Sequence, residues 1–238
     1  MGEPMDKKLQ LLMNRIETPI GEMLTLADRD GNLRAVDWTD HEARMRRLLR
    51  LHYGENGFRL EPAHKPGNLT DAINSYFAGD LTAINTLPVQ TGGTPFQREV
   101  WRALREIPSG ATLSYAKLAE RIGRPAAVRA VGLANGSNPV GVVVPCHRVI
   151  GANGSLTGYG GGIERKHWLL EHERERAKSQ ATKQSPHSYP PVSMLPGRNE
   201  SRSTPEMDGS PAKPPVTLAP NRTCCEHTRA HVNSGQHH

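Results

Sequence analysis

The sequence predicts an α/β half over residues 1–90, a mostly helical half over residues 91–177, and a tail over residues 178–238 that is expected to be disordered. Three observations predict this division. Two strand-like runs flank Asp30-Gly31, a strong hairpin signal. Helix caps and a Gly-containing turn punctuate the stretch from Thr94 to Asn135. From Lys178 onward there is no Phe, Trp or Ile, and nine of the chain's 19 prolines fall there. Such a segment buries too little apolar surface to offset its ordering entropy.

In the first half, Met23–Ala27 and Leu33–Trp38 are the strand-like runs. Thr39 with Glu42 makes a capping box for a helix that buries Met45, Leu48 and Leu49. Leu69, Ile73, Tyr76 and Phe77 fall at i, i+4, i+7 and i+8, one helical face closed by Gly79. Nothing before residue 91 arranges groups for chemistry, so this half is expected to be scaffold.

In the second half, Thr94 caps a helix with Pro95 first and Gln97 completing the box; Phe96, Val100, Ala103, Leu104 and Ile107 line its face. Pro108-Ser109-Gly110 ends it. Ser114 caps a short helix from Tyr115 to Ile122, and Gly123-Arg124-Pro125 turns the chain into a second one, Ala126 to Asn135. Two short helices joined this way form a helix-turn-helix or an ordinary helical corner. The second helix carries Ala127, Ala130, Gly132 and Ala134, so it can approach another surface closely; tight helix packing would use the same residues. Arg129 among them favours DNA, since a long cation there has few intrahelical partners.

The formal charge is +6. The tail holds seven Lys/Arg against four Asp/Glu, which leaves residues 1–177 only mildly basic. Residues 94–130 are more telling: Arg98, Arg102, Arg105, Lys117, Arg121, Arg124 and Arg129 face only Glu99, Glu106 and Glu120. That patch suits a polyanion, although a solvated helix face produces it as well. There is no long apolar run and no secretory leader, Met1 to Asn14 being polar, so no membrane association is expected. A single cysteine in the first 223 residues fits a reducing cytoplasm, with nucleoid association in a bacterium. Cys224-Cys225 with His227 and His231 lacks metal-ligand spacing, so no metal is expected.

The most informative run is Val144-Pro145-Cys146-His147-Arg148-Val149-Ile150, preceded by Ala126-Ala127-Val128-Arg129-Ala130-Val131-Gly132-Leu133-Ala134-Asn135 and by Asn138-Pro139. Thiolate is the protein nucleophile best suited to carbon, but a free cysteine is only slightly ionised near pH 7 and needs a base. His147 is adjacent, yet neighbours on an extended strand point to opposite faces. Either the segment leaves the strand as a turn, or a water bridges the two side chains.

Together these residues resemble the O6-alkylguanine-DNA alkyltransferase family, strongly over residues 94–174 and weakly over 15–90. The resemblance implies a ribonuclease H-like sheet with helices, then a winged helix-turn-helix-like DNA-binding domain. It implies single-turnover transfer of an alkyl group from O6-alkylguanine, and from O4-alkylthymine, to Cys146, with no cofactor. It implies the water-bridged use of His147, with Glu173 orienting the far imidazole nitrogen; alone, Glu173 reads as a surface carboxylate at a helix end. Tyr115 is implied to hydrogen-bond the extruded guanine and assist its protonation, and Asn138 to act as a hinge beside the thiol. Arg129 is implied to fill the gap left in the stack, with the recognition helix docked in the minor groove of double-stranded DNA. Ser114, Arg124, Ala127, Ala130, Gly132 and Asn135 fall on the DNA side of that scheme; Val149, Tyr159 and Gly160 match the pocket wall. The partner is duplex DNA bearing the lesion, bound by a monomer.

The chain departs from the vertebrate pattern at Gly141, where a proline often walls the pocket, and at Asn135, where a methionine can pack the base. Both changes resemble bacterial members and imply a wetter or more open pocket. A non-catalytic binder of alkylated DNA would lack the acceptor thiol. A plain helix-turn-helix regulator would leave the Pro-Cys-His-Arg run unexplained.

Overall fold

Met23–Ala27 (β2) is buried at every position, which a strand achieves only when both faces of its sheet are covered. In the computed structural model, which describes residues 8–63 and 68–184, that is the arrangement. β2 lies between Leu9–Ile16 (β1) and Leu33–Trp38 (β3), antiparallel to both, and Phe58–Pro62 (β4) adds parallel to β1. The order across the sheet is β3-β2-β1-β4. The hairpin at Asp30-Gly31 is present: the Asp28 carboxylate accepts from the backbone N–H groups of Asp30 and Asn32, and Gly31 takes a left-handed φ of 83°. β1 and β4 were not anticipated, because neither alternates cleanly.

Alternate residues of the strands serve two cores. Leu11, Leu24, Leu26 and Ala35 pack with Met45 and Leu49 of Glu42–Tyr53 (α1) on one face. On the other, Met23, Val36 and Trp38 join a larger cluster. That cluster takes in Leu69–Ala78 (α2), Pro95–Arg105 (α3), Tyr115–Arg121 (α4), Val128–Gly136 (α5) and Leu169 of Ile163–Gln184 (α6). The apolar core thus runs through residue 90 without a break.

Local signals fared unevenly. Leu69, Ile73, Tyr76 and Phe77 are buried on α2, and Gly79 ends it in the left-handed conformation. The Thr94–Gln97 capping box forms in both directions. The expected Thr39–Glu42 box does not: Thr39–His41 is a 3₁₀ turn, Thr39 Oγ1 donates to the Glu22 carbonyl, and Glu42 pairs with Arg46. Tertiary docking of the turn on the hairpin outcompeted the local cap. The second helix of the helix-turn-helix is likewise split, with Pro125–Ala127 a 3₁₀ turn ahead of α5. α6 runs to Gln184, beyond the boundary drawn at residue 178, through Ala, Lys and Gln that favour helix. The rest of the tail, including Cys224-Cys225, lies outside the described residues. No helix among the described residues is long and apolar enough to cross a membrane.

One junction positions everything that follows. Val36 of β3 donates to the Pro139 carbonyl at 2.9 Å and accepts from Gly141 N–H at 2.9 Å, so the loop before Cys146 docks on the sheet edge by backbone pairing. Farther along β3, Leu33 pairs in the same way with the segment around Val89.

Candidate active site

The loop from Asn138 to Arg148 is built around one side-chain amide. Asn138 Oδ1 accepts from Val140 N–H at 3.0 Å, while Nδ2 reaches the Val144 carbonyl at 2.8 Å, the Val140 carbonyl at 3.3 Å and Cys146 Sγ at 3.1 Å. Closing the loop so tightly forces Val142 to φ 66°. A β-branched residue rarely adopts that region, at a cost of about 1–3 kcal/mol. Cys146–Arg148 then leaves the extended conformation as a 3₁₀ turn with Arg148 N–H donating to the Pro145 carbonyl. Of the two routes by which Cys146 and His147 could cooperate, the chain takes the turn, yet the turn alone does not join them. His147 Nδ1 has no hydrogen-bond partner in the protein, Cys146 Sγ included.

The other ring nitrogen is held. His147 Nε2 lies 3.1 Å from Glu173 Oε1, and both side chains are fully buried. Glu173 also accepts from Arg148 Nε and Nη2 at 2.7–3.2 Å, from the Tyr76 hydroxyl at 2.8 Å and from Gly110 N–H at 3.1 Å. It is therefore a buried centre within α6. Arg148 is saturated in turn by the Ile107 carbonyl and Ser109 Oγ.

Burial opposes ionisation of Glu173, but the contacts with His147 and Arg148 outweigh it and hold its carboxyl far below the usual range. Arg148 is the permanent cation of the two, because burial, only partly offset by Glu173, pushes His147 down and keeps its ring neutral. Burial also pushes the Cys146 thiol up, against the Asn138 hydrogen bond that favours thiolate. The resting pair is thus a neutral thiol beside a neutral imidazole whose far N–H points at a carboxylate.

A second set of groups roofs the thiol. Tyr159 packs edge-on against Trp38 at 6.0 Å and against His147 at 6.4 Å. Lys166, fully buried, donates to the carbonyls of Val149 at 2.6 Å and Thr157 at 3.0 Å, pinning the glycine-rich segment. Arg44 of α1 bonds Asp37 at 2.7 Å and the carbonyls of Gly136 and Asn138, and it lies so close to Gly160 that a Cβ there would collide with it. The hollow these residues leave beside Cys146 is only about 10 Å³. The open pocket expected from Gly141 is therefore not found. A Cβ on Gly141 would meet the Val36 carbonyl, the Tyr159 hydroxyl and Trp38, and its N–H is spent on Val36, a bond proline could not make.

Outside this roof, Tyr115, Arg129, Gly132, Gly136, Thr157, Tyr159 and Gly160 line a shallow depression of about 530 Å³. Tyr115 accepts from Thr157 Oγ1 at 3.0 Å, which leaves its own O–H to donate. Ser114 caps α4 through Lys117 N–H. Arg129 and Ala130 are exposed, and Gly132 faces the Tyr115 ring, which a Cβ there would meet at an ordinary contact distance of 3.9 Å.

Two residues expected on the DNA or pocket side, Asn135 and Val149, are buried, while Arg124 and Ala127 keep places at or near the surface. Asn135 is buried, its Nδ2 3.5 Å from the Cys146 carbonyl, so it braces the turn from behind. Val149 is a fully buried core residue that pairs with Leu113. Arg124 is tied to Glu99 at 3.1 Å and lies over the Phe96 ring. Ala127 ends the 3₁₀ turn ahead of α5, half-buried. Helix phase and a neighbouring carboxylate decided these placements. Conversely, the sequence assigns no role at the site to Tyr76, Lys166, Trp38 or Arg44, and marks Arg148 only by its place in the Pro-Cys-His-Arg run. Of the four, Tyr76 carries a signal, a hydroxyl on an apolar helix face that needs a partner once buried.

Residues 95–175 match the family model described as 6-O-methylguanine DNA methyltransferase, DNA binding domain. The chain is 55% identical over 165 residues to a methylated-DNA–protein-cysteine methyltransferase of Shigella flexneri, covering 69% of this chain and 96% of that one. The protein of the same name in Mycolicibacterium paratuberculosis is 48% identical over 170 residues, covering 70% and 94%. Among solved structures, Mycobacterium tuberculosis OGT in complex with DNA superposes with TM-score 0.58 at 41% identity, covering 71% of this chain and 94% of that one. The O6-methylguanine-DNA methyltransferase of Pyrococcus kodakaraensis gives 0.53 at 26% identity, covering 68% and 98%.

Two outcomes follow from the buried charges. Glu173→Ala should destabilise the fold by about 3–5 kcal/mol, because it leaves Arg148 buried without its anion. Calorimetry should show a melting-temperature loss on the order of 10 °C, and a change under one degree would contradict the burial. Thermal stability should also depend on pH in a definite direction. His147 has a folded pKa below its ordinary 6.5, so the unfolded chain takes the proton first and stability falls as pH drops below that value. Glu173, depressed from 4.5, adds a second loss as pH falls further. A melting temperature that stayed level from pH 7 to pH 5 would refute the first assignment, and one that stayed level from pH 4.5 down to pH 3 would refute the second.

Proposed function

This chain belongs to the methylated-DNA–protein-cysteine methyltransferase family and repairs DNA by moving the alkyl group of O6-alkylguanine onto a protein cysteine; we propose that the acceptor is Cys146, activated by His147 and Glu173. The observation that carries the assignment is a buried thiol hydrogen-bonded by Asn138, one residue from an imidazole whose Nε2 is fixed on a buried carboxylate.

The steps follow from these atoms. Glu173 holds the His147 tautomer with hydrogen on Nε2 and leaves Nδ1 as the acceptor. A water relays the thiol proton to Nδ1, and the imidazolium formed is stabilised by Glu173. The Asn138 amide donates to the developing thiolate. Sulfur attacks the alkyl carbon, a thioether S–C bond forms, and the C–O6 bond breaks with its electron pair going to guanine. Tyr115, accepting from Thr157 and free to donate, protonates the departing base. A neutral thioether has no route back to thiolate, so each chain acts once. The same geometry would take O4-alkylthymine.

The small hollow beside Cys146 shares Tyr159 and Gly160 with the depression of about 530 Å³ lined by Tyr115 and Arg129, and an extruded base reaches the thiol from that side. The duplex docks through its minor groove on the exposed side of α5, and Arg129 occupies the place of the extruded base. The finer fold reading rests on the sheet order with parallel β4, which supports a ribonuclease H-like scaffold, and on the short β5–β6 pair, Leu113–Ser114 with Val149–Ile150, for a winged helix-turn-helix.

Cys146→Ser should abolish transfer of labelled methyl while lesion-duplex affinity stays within about threefold, because a hydroxyl is nearly isosteric but a far weaker nucleophile. Peptide mass analysis of the wild type should place the label on Cys146; label on Cys224 or Cys225 would overturn the assignment. Arg129→Ala should slow repair of duplex by at least about tenfold and leave reaction with free O6-alkylguanine base nearly unchanged, since extrusion from a stack costs a few kcal/mol that a free base does not pay. Single-turnover rates on duplex, single strand and free base separate this from lost phosphate contact. Equal fractional losses on all three would place Arg129 in the fold instead.

A further inference from the structure

The exposed side of α5 carries a residue that the transfer chemistry leaves unused. Leu133 is 78% exposed, the most exposed large apolar side chain among the described residues. A single exposed leucine is ordinary on a protein surface, but the position of this one is not arbitrary. Helix residues three and four apart share a face, and Leu133 stands four after Arg129 and three after Ala130. Ala126, Arg129, Ala130, Leu133 and Gly136 are all exposed, while Val131, Ala134 and Asn135 are buried. The ridge presented outward is therefore made of small residues from which two long side chains project one turn apart, one cationic and one apolar. Arg129 and Gly136, which flank Leu133 on that ridge, line the depression over the site together with Tyr115 and Tyr159.

We propose that Leu133 is a second DNA-contacting side chain, an apolar wedge that enters the minor groove beside Arg129 and presses on the base step next to the vacated one. The proposal rests on the reading that α5 faces duplex DNA. Minor-groove proteins commonly insert Leu, Ile, Met or Phe against a base step and unstack it, kinking the duplex toward the major groove. The small residues around Leu133 allow the helix backbone to come close enough for a four-carbon side chain to reach the bases. The division of labour is physical: the cation fills the gap and answers phosphate charge, and the leucine loses its water against sugar and base faces, holding the neighbouring step open.

The test uses the full chain. Single-turnover alkylation of Cys146 is followed for wild type, Leu133→Ala and Leu133→Met on a duplex carrying O6-methylguanine and on free O6-methylguanine base. In a Cys146→Ser background, a duplex with 2-aminopurine beside the lesion reports unstacking by fluorescence. Leu133→Ala should lose about tenfold on duplex, the scale of one leucine side chain returned to water, with free-base rates within about twofold of wild type. The 2-aminopurine signal at saturating protein should fall with it, and Leu133→Met should restore most of both. A wild-type duplex rate in Leu133→Ala overturns the proposal. Equal losses on both substrates overturn it by placing Leu133 in the fold, and an unchanged 2-aminopurine signal overturns the wedge role. Failure of the underlying reading shows separately, as an Arg129→Ala variant that repairs duplex at the wild-type rate, and takes the proposal with it.

Discussion

A single buried carboxylate, Glu173, ties the molecule together. It accepts hydrogen bonds from α2 through Tyr76, from the turn after α3 through Gly110, and from the Cys146–Arg148 turn through His147 and Arg148. Taking an anion out of water costs several kcal/mol, and only a full set of donors with a permanent cation makes it tolerable. Because those donors come from three separate segments, the cost is met only when all three are in place. The requirement that stabilises the charge also assembles the site.

The other half of the placement is backbone pairing. β3 uses its free edge at Val36 to bind the loop at Pro139 and Gly141, and Asn138 closes that loop on Cys146. The first half of the chain is thus more than scaffold: it supplies the edge on which the thiol loop is hung, and Trp38 and Arg44 form part of the roof. The left-handed Val142 is the strained member of this loop, held by bonds on either side, Val143 N–H to the Gly141 carbonyl and Val144 N–H to the Val140 carbonyl. Strain of this kind persists only where the surroundings over-determine it.

α5 separates two tasks by phase. Its buried side, with Val131, Ala134 and Asn135, braces Trp101 and the Cys146 turn, Trp101 Nε1 donating to the Ala134 carbonyl. Its exposed side offers Arg129, Ala130 and Leu133. One short helix therefore supports the Cys146 turn with its buried face and offers its exposed ridge, from which Arg129 and Gly136 border the depression over the site.

The sequence by itself determined what depends on neighbours within about four positions: the hairpin at Asp30-Gly31, the Thr94 box, the apolar face of α2 and the Ser114-capped first helix of the helix-turn-helix. It also held the Pro-Cys-His-Arg run, whose residue types limit the chemistry whatever the fold. Only the tertiary structure decided that Thr39 would forsake its box for the Glu22 carbonyl, that Arg124 would be claimed by Glu99, and that Trp38 and Tyr159 would close the space at Gly141. It alone made Glu173 a buried hub. Tyr76 lies 97 positions from Glu173, and Arg148 lies 25. Periodicity and capping report the phase of one element, whereas the choice of partner for a buried charge is settled by which segments pack together, and no local pattern encodes that.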